Sequence, residues 1–203
     1  MFLLHFYGMA IIAIFYVLFD VNYFIKFLFI IIWGRLFNKN KKLLDTTTIY
    51  GICTTQDIDI VFYHMNNARY LRELDFARYY YYDRSGLYKA IAKRNGNLVQ
   101  TACTVRYRRA IPIFMPYKIT TKLIYWEDKH FYMEQQFIDL KNNFIYAIIL
   151  NRQTITGLKT PLQDIIADTE PKICMPKPTK EFKLWLESIK ESSQNLRKQE
   201  EMK

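Results

Sequence analysis

The stretch YHMNNARYLRELDFAR, residues 63–78, sets one imidazole, His64, and two amides, Asn66 and Asn67, ahead of a run of helix formers. Two carboxylates, Asp57 and Asp59, stand just upstream. An asparagine commonly caps a helix, because its side-chain oxygen accepts from a free N–H of the first turn. A cap needs only one such residue, and acids alone would suit an ordinary loop. Here His and Asn crowd the positive end of a helix, where unpaired N–H groups point outward. Such a mouth can hold a carbonyl oxygen as it becomes an oxyanion. A nearby carboxylate can attack the carbonyl or activate water. Cleavage of a thioester is a reaction that suits this set of groups.

Other chemistries lack their residues. His5 lies in an apolar run and His130 opens a strand, so His64 has no partner histidine for a zinc site. Cys53 lies too far from His64 for a compact ligand pair, and no metal is expected. No GxGxxG, GxxxxGK[ST] or GxSxG occurs, so nucleotide-phosphate loops and a serine-hydrolase elbow are unsupported. The RYRR run at 106–109 mixes basic and aromatic residues but comes with no nucleic-acid motif, and no nucleic-acid partner is expected. Cys53, Cys103 and Cys174 are odd in number and widely spaced, and no Asn-x-Ser/Thr sequon occurs. Both facts lean towards a reducing compartment for the main domain.

The elements that position the helix mouth can be read in order. Residues 46–55 are β-branched and read as a strand. From Asn66 to about Tyr82 the period is helical, with Tyr70, Leu74, Ala77 and Tyr81 on one ridge. Ser85-Gly86 stops it, and a short helix covers 86–93. Strands follow at 98–109, 117–126, 130–140 and 144–155. In the first of them Val99, Thr101, Cys103, Val105 and Tyr107 share a face by simple alternation. The last is nearly continuous apolar at its start and reads as a central strand. Gly157 and Pro161 end the regular part. Pro171, Pro176 and Pro178 mark a linker, after which Phe182, Trp185, Leu186 and Ile189 stripe an amphipathic helix. One long helix and one antiparallel sheet must bury their apolar faces on each other, an α+β layout with the sheet wrapped around the helix.

The amino terminus is different. Hydrophobic residues are 51% of the chain, and much of the surplus sits in residues 1–37. Residues 1–19 are apolar apart from His5, and a second run, 23–37, is interrupted by Lys26. A cleaved signal peptide normally starts with positive charge and ends in a small-residue cleavage site. Residues 1–10 hold no Lys or Arg, so a membrane anchor is favoured over a secretory leader, and the all-round apolar surface disfavours a buried core helix. The second run suits the interface, with Lys26 snorkelling. Lys39, Lys41 and Lys42 follow, and the positive-inside rule puts the main domain in the cytosol. The domains expected are an anchor with a basic segment at 1–42, a main domain at 43–165, and a linker with an amphipathic helix at 166–203. Net charge is +10, of which five basic groups and one acid in residues 1–42 contribute +4, so the excess is diffuse rather than one nucleic-acid-binding block.

At His64, Asn66, Asn67, Tyr70, Ala77 and Arg78 the sequence resembles the hotdog-fold thioesterases of the 4-hydroxybenzoyl-CoA thioesterase-like superfamily. With the apolar amino terminus it resembles, more narrowly, a membrane-associated branch, over roughly residues 1–165. The resemblance implies a hotdog fold, a homodimer, and an acyl-CoA or other acyl thioester at the subunit interface, with coenzyme A present only as part of the substrate and no separate cofactor. It implies the endoplasmic reticulum as the membrane. Asp59 is then nucleophile or general base, with Asp57 as the alternate. Asn67 places the acid or water, and His64 orients the carbonyl or the Asn-Asn turn. The backbone at Ala68 donates to the oxyanion, Asn66 and Tyr70 complete the substrate site, and Arg106, Arg108 or Lys118 meet the CoA phosphates on charge alone. In the family the acid stands four residues before the histidine; here that place is Ile60, while Asp59 stands five before and Asp57 seven before. A protein that keeps the fold and binds acyl lipids without turning them over is the alternative reading.

Overall fold

The computed structural model describes residues 2–61, 63–158 and 160–202 of the chain, which falls into two compact units, 1–39 and 40–203. The first unit holds α1 (Phe2–Leu18) and α2 (Val21–Phe37). Both apolar runs of the amino terminus are helical, and Asp20 separates them, ending the first and capping the second by accepting from the Tyr23 N–H at 3.1 Å. Each has 17 residues, about 25 Å of helix against a hydrocarbon core of about 30 Å. Among the described residues no single helix is long and apolar enough to cross a membrane; Tyr7–Tyr16 and α2 meet that criterion only as a pair bent by 75°. Large apolar side chains on both, including Ile12, Phe15, Phe29 and Trp33, are exposed.

The second unit runs β1 (Thr47–Ile52), α3 (Asn67–Ser85), α4 (Leu87–Ala92), β2 (Asn97–Tyr107), β3 (Pro116–Glu127), β4 (His130–Asp139), β5 (Ile145–Thr156), α5 (Leu162–Thr169) and α6 (Lys180–Glu201). The strands form one antiparallel sheet in the order β1-β3-β4-β5-β2. β4 is the middle strand, and β5 beside it is paired on both edges and buried on both faces, as its apolar run leads one to expect. α3 lies along one face of the sheet, and the arrangement is a hotdog fold. α3 starts at Asn66, whose side chain accepts from the Ala68 N–H, and stops at Gly86, whose φ of 73° takes the left-handed turn that a side chain would resist. α5 was not foreseen, although Leu162, Ile165 and Ile166 have helical spacing and all three are buried.

Two bulges set which residues face α3. In β2 the register shifts between Gln100 and Ala102, leaving Thr101 extra. Leu98 and Gln100 therefore join Cys103, Val105 and Tyr107 opposite the buried β5 residues Ile155, Gln153, Asn151, Ile149 and Ala147. Val99 and Thr101 do not share that face, so simple alternation fails at one inserted residue. β3 has a similar shift between Leu123 and Tyr125. On the α3 side, Tyr70 packs edge-on against Phe137 and Tyr107, and Phe137 against Tyr117. At the other end Tyr81, Tyr82, Trp126, Phe131 and the apolar residues of α4 and α5 form a second cluster.

Between these clusters the core is polar. Gln135 donates to Thr121 Oγ1 at 3.0 Å and to the Leu74 carbonyl at 3.3 Å, and accepts from Asn151 at 3.0 Å. Gln153 continues the row to Asn151 and Gln100, and Gln100 reaches Arg78 on α3, which also pairs with Asp75. Each buried amide finds partners, as burial requires. On the opposite face of the sheet, Tyr125 and Tyr132 pack against Phe182 of α6, with Trp185 beside Tyr132.

Candidate active site

A short hairpin builds the site. Ile58 and Met65 form a β-bridge, flanked by the Asn66 N–H donating to Asp57 O at 2.8 Å and the Asp59 N–H donating to His64 O at 3.0 Å. Residues opposed in an antiparallel pair share a face, so Asp59 meets His64 and Asp57 meets Asn66. Ile60 sits at the tip, 92% exposed. The register thus brings Asp59 to the histidine without a bulge, although Ile60 holds the place where the family carries its acid. On its far side the hairpin pairs with 111–113: His64 bridges Pro112, and the Met65 N–H donates to Ile111 O at 2.8 Å.

His64 Nδ1 lies 3.2 Å from the Met65 carbonyl. A carbonyl only accepts, so this contact puts a proton on Nδ1. Nε2 then faces Asp59 Oδ2 at 3.6 Å. The other Asp59 oxygen, Oδ1, is buried and has no hydrogen-bond partner among the described residues. A buried carboxylate oxygen left bare is costly, and it marks a place for a donor brought by water or substrate.

Asp57 is occupied differently. Its Oδ2 accepts from the Thr54 N–H at 2.9 Å and the Thr54 hydroxyl at 2.8 Å, and its Oδ1 from Arg69 Nε at 3.1 Å and Nη2 at 2.9 Å. Burial pushes its pKa up, but these bonds and the Arg69 charge outweigh that and hold the carboxyl below the usual range. Asp57 ties the foot of the hairpin to the first turn of α3. Cys53, buried beside it, has its thiol pushed up to about 11 by burial and by the charges of Asp57 and Glu73, so it is no thiolate nucleophile at neutral pH.

At the helix mouth the Ala68 N–H, read as an oxyanion donor, is taken by the Asn66 cap at 2.9 Å. The N–H and the side-chain amide of Asn67 have no hydrogen bond among the described residues, and Asn67 is exposed. Tyr107 donates to the Asn67 carbonyl at 2.9 Å and fixes the end of β2 to this turn. Tyr70 is buried, its hydroxyl accepting from the Ile111 N–H at 3.1 Å and pushed up to about 12 chiefly by burial. It braces the 111–113 segment from below. Glu73, one turn further along, is buried and accepts from the Tyr117 hydroxyl at 2.9 Å.

The structure does not bring the basic residues to this mouth within one chain. Tyr107 faces α3, so its neighbour Arg106 takes the opposite face of the sheet. Arg108 donates to the Ile145 carbonyl at 3.2 Å and lies over the Phe144 ring, and Lys118 donates to Asn143 at 2.8 Å. The residues that sequence reasoning passed over are Thr54, Arg69 and Tyr107. Thr54, three before Asp57, carries a local turn signal, whereas the Asp57–Arg69 pair spans twelve residues and has none.

The family model of the thioesterase-like superfamily matches residues 53–186. The protein THEM6 of Drosophila melanogaster is 52% identical over 190 residues, covering 94% of this chain and 97% of that protein. THEM6 of Xenopus laevis is 37% identical, covering 94% and 91%. Among solved structures, the Escherichia coli probable thioesterase YbaW superposes with a TM-score of 0.51 at 23% identity, over 61% of this chain and 94% of that one. The 1,4-dihydroxy-2-naphthoyl-CoA thioesterase Slr0204 of Synechocystis superposes with a TM-score of 0.53 at 11% identity, over 65% and 100%. With its hotdog sheet, its capped helix mouth and these matches, the chain belongs to the thioesterase-like superfamily.

Proposed function

We propose that the protein is a membrane-associated thioesterase that hydrolyses acyl-CoA, with Asp59 as nucleophile or general base. The observation that carries the reading is the bare Oδ1 of Asp59, held opposite His64 beside the open N–H and amide of Asn67. An acyl carbonyl at the helix mouth would receive the Asn67 N–H as its oxygen gains charge. Asp59 either takes a proton from a water that adds to the carbon, or attacks the carbon itself to give an anhydride that water then hydrolyses. In both routes the C–S bond breaks, CoA leaves as its thiol with a proton from water, and the acyl group is released as the acid. His64 and the Arg69–Asp57 clamp keep the hairpin in register. A protein of the same fold from Staphylococcus aureus is described in complex with CoA, and the same ligand class is assigned here. Apolar residues 1–37 hold the chain to a membrane, for which the endoplasmic reticulum is the reading, with the main domain on the cytosolic side.

The test is hydrolysis of a panel of acyl-CoAs by the purified full-length protein. Asp59→Ala and Asp59→Asn are expected to lower kcat/KM about 100-fold or more, the usual share of a carboxylate of this kind. Variants that hydrolyse as fast as the parent would remove Asp59 from the mechanism. A second reading, an acyl-lipid-binding protein without turnover, is favoured by the 3.6 Å Asp59–His64 gap and by Ile60 in the family's acid position. Tight binding of a non-hydrolysable acyl-CoA analogue with no turnover of the parent thioester would select it.

A further inference from the structure

A cavity of about 470 Å³ opens where the folded domain begins, among Lys41, Lys42, Ser85, Thr169, Glu170 and Lys172. Its two sides come from distant parts of the chain. The 41–45 segment is pinned at several points: the Lys41 N–H donates to Arg84 O at 3.0 Å, and the Leu43 N–H to Glu170 Oε2 at 3.0 Å. Tyr81 donates its hydroxyl to Leu43 O at 2.5 Å, the Leu43 side chain is 1% exposed, and the Lys42 N–H donates to Asp45 Oδ2 at 2.9 Å. This clamp sets Lys41 and Lys42 against Lys172, which follows α5. All three lysines are exposed, and among the described residues none makes an ion pair. The acids nearby, Asp45 and Glu170, each already hold a backbone N–H of the segment.

Position says what three fixed ammonium groups would meet. Only residues 38–40 separate the end of α2 at Phe37 from Lys41. Four steps of extended chain reach about 14 Å at most. The headgroup layer on each side of the hydrocarbon core is about 5–8 Å deep. If the apolar segment lies in a bilayer, the chain between Phe37 and Lys41 is short enough for Lys41 to reach the headgroup layer, and it cannot carry Lys41 more than about 14 Å from Phe37. Anionic lipids there attract basic residues over a Debye length.

We propose that Lys41, Lys42 and Lys172 form a docking face for the headgroups of anionic phospholipids, which fixes how the domain stands on the membrane. The proposal rests on the membrane reading of residues 1–37 but not on thioester hydrolysis. Cys174, exposed and two residues from Lys172, offers a reporter site, since Cys53 is buried and Cys103 is removed by Cys103→Ser. The full-length protein labelled at Cys174 is bound to phosphatidylcholine vesicles with and without phosphatidylserine, each carrying a headgroup nitroxide quencher. Quenching is expected to rise about twofold or more with phosphatidylserine and to fall as salt rises. Lys41→Gln, Lys42→Gln and Lys172→Gln together abolish that rise, and three arginines at the same positions keep it. Quenching that ignores phosphatidylserine, or that survives the glutamines, overturns the proposal while leaving the anchor in place. Displacement by inorganic phosphate beyond that of chloride at equal ionic strength overturns it too, because the face then binds any phosphate. A protein that fails to float with either vesicle loses the membrane reading and this inference together.

Discussion

Asp57 accepts four hydrogen bonds from Thr54 and Arg69, while Asp59, two residues on, keeps Oδ1 unpaired. Identical side chains thus stand in different surroundings, one paired at both oxygens and one with an oxygen left open to a ligand. Asp57→Asn keeps the shape but removes the charge that Arg69 faces, and it is expected to lower unfolding free energy by about 2–3 kcal/mol at neutral pH. The pH dependence has a definite sign. The carboxyl of Asp57 sits below its ordinary range when folded, so its contribution is complete above the unfolded pKa and is lost as pH falls through the folded one. Urea titrations at a series of acidic pH values should therefore show a shallower loss of stability in Asp57→Asn than in the parent. An unchanged slope would mean that the clamp contributes nothing to acid sensitivity. Asp59→Asn, in contrast, is expected to leave stability within about 1 kcal/mol, since it breaks only a long contact to His64.

Close approach between elements is what the sequence could least reveal. Gly51 in β1 lies against the Tyr117 ring, and a Cβ there would come within 2.8 Å of it. That ring is fully buried and its hydroxyl bonds to Glu73 on α3. Gly51→Ala must push Tyr117 aside or bend the edge strand, and a loss of about 1–3 kcal/mol is expected in thermal or urea unfolding, with Tyr117→Phe in the same background restoring little. The helix with its Asn66 cap and Gly86 stop, the strands at hairpin spacing and the stripe of α6 were all legible, because each rests on local periodicity and turn chemistry. So was the helix mouth, since His64, Asn66 and Asn67 are neighbours in the chain. The choice between Asp57 and Asp59 was not. It depends on the 58–65 bridge and on Arg69, and neither leaves a trace in residue spacing. The faces of β2 were misread for a related reason, since one extra residue reverses alternation and nothing in LVQTACTV announces it.

At the scale of the molecule, β2 closes one side of the sheet with eleven residues whose outer edge has no partner strand among the described residues. An open edge of that length pairs readily with another copy. The homodimer is accordingly proposed to form there, and it would bring a second chain's groups to each helix mouth. Sedimentation of the full-length protein in detergent is expected to give a dimer, and a monomer at all concentrations would count against it. The bulge at Thr101 bears on how the strand tolerates changes in length. Gln100 pairs with Gln153 and Ala102 with Arg152, so a chain with Thr101 deleted could close the ladder with every remaining side chain on its present face. Deleting Val105 instead would invert the stretch between the bulge and the cut, turning Cys103 away from α3 and Ala102 and Thr104 towards it. The first deletion should give a folded protein that has lost only the Thr101 bonds to Thr154 and Arg152, and the second a less stable one with polar Thr104 turned towards α3 in place of Val105. In lineages of this protein, then, single-residue gaps in β2 should be tolerated at the bulge and rejected a few positions away.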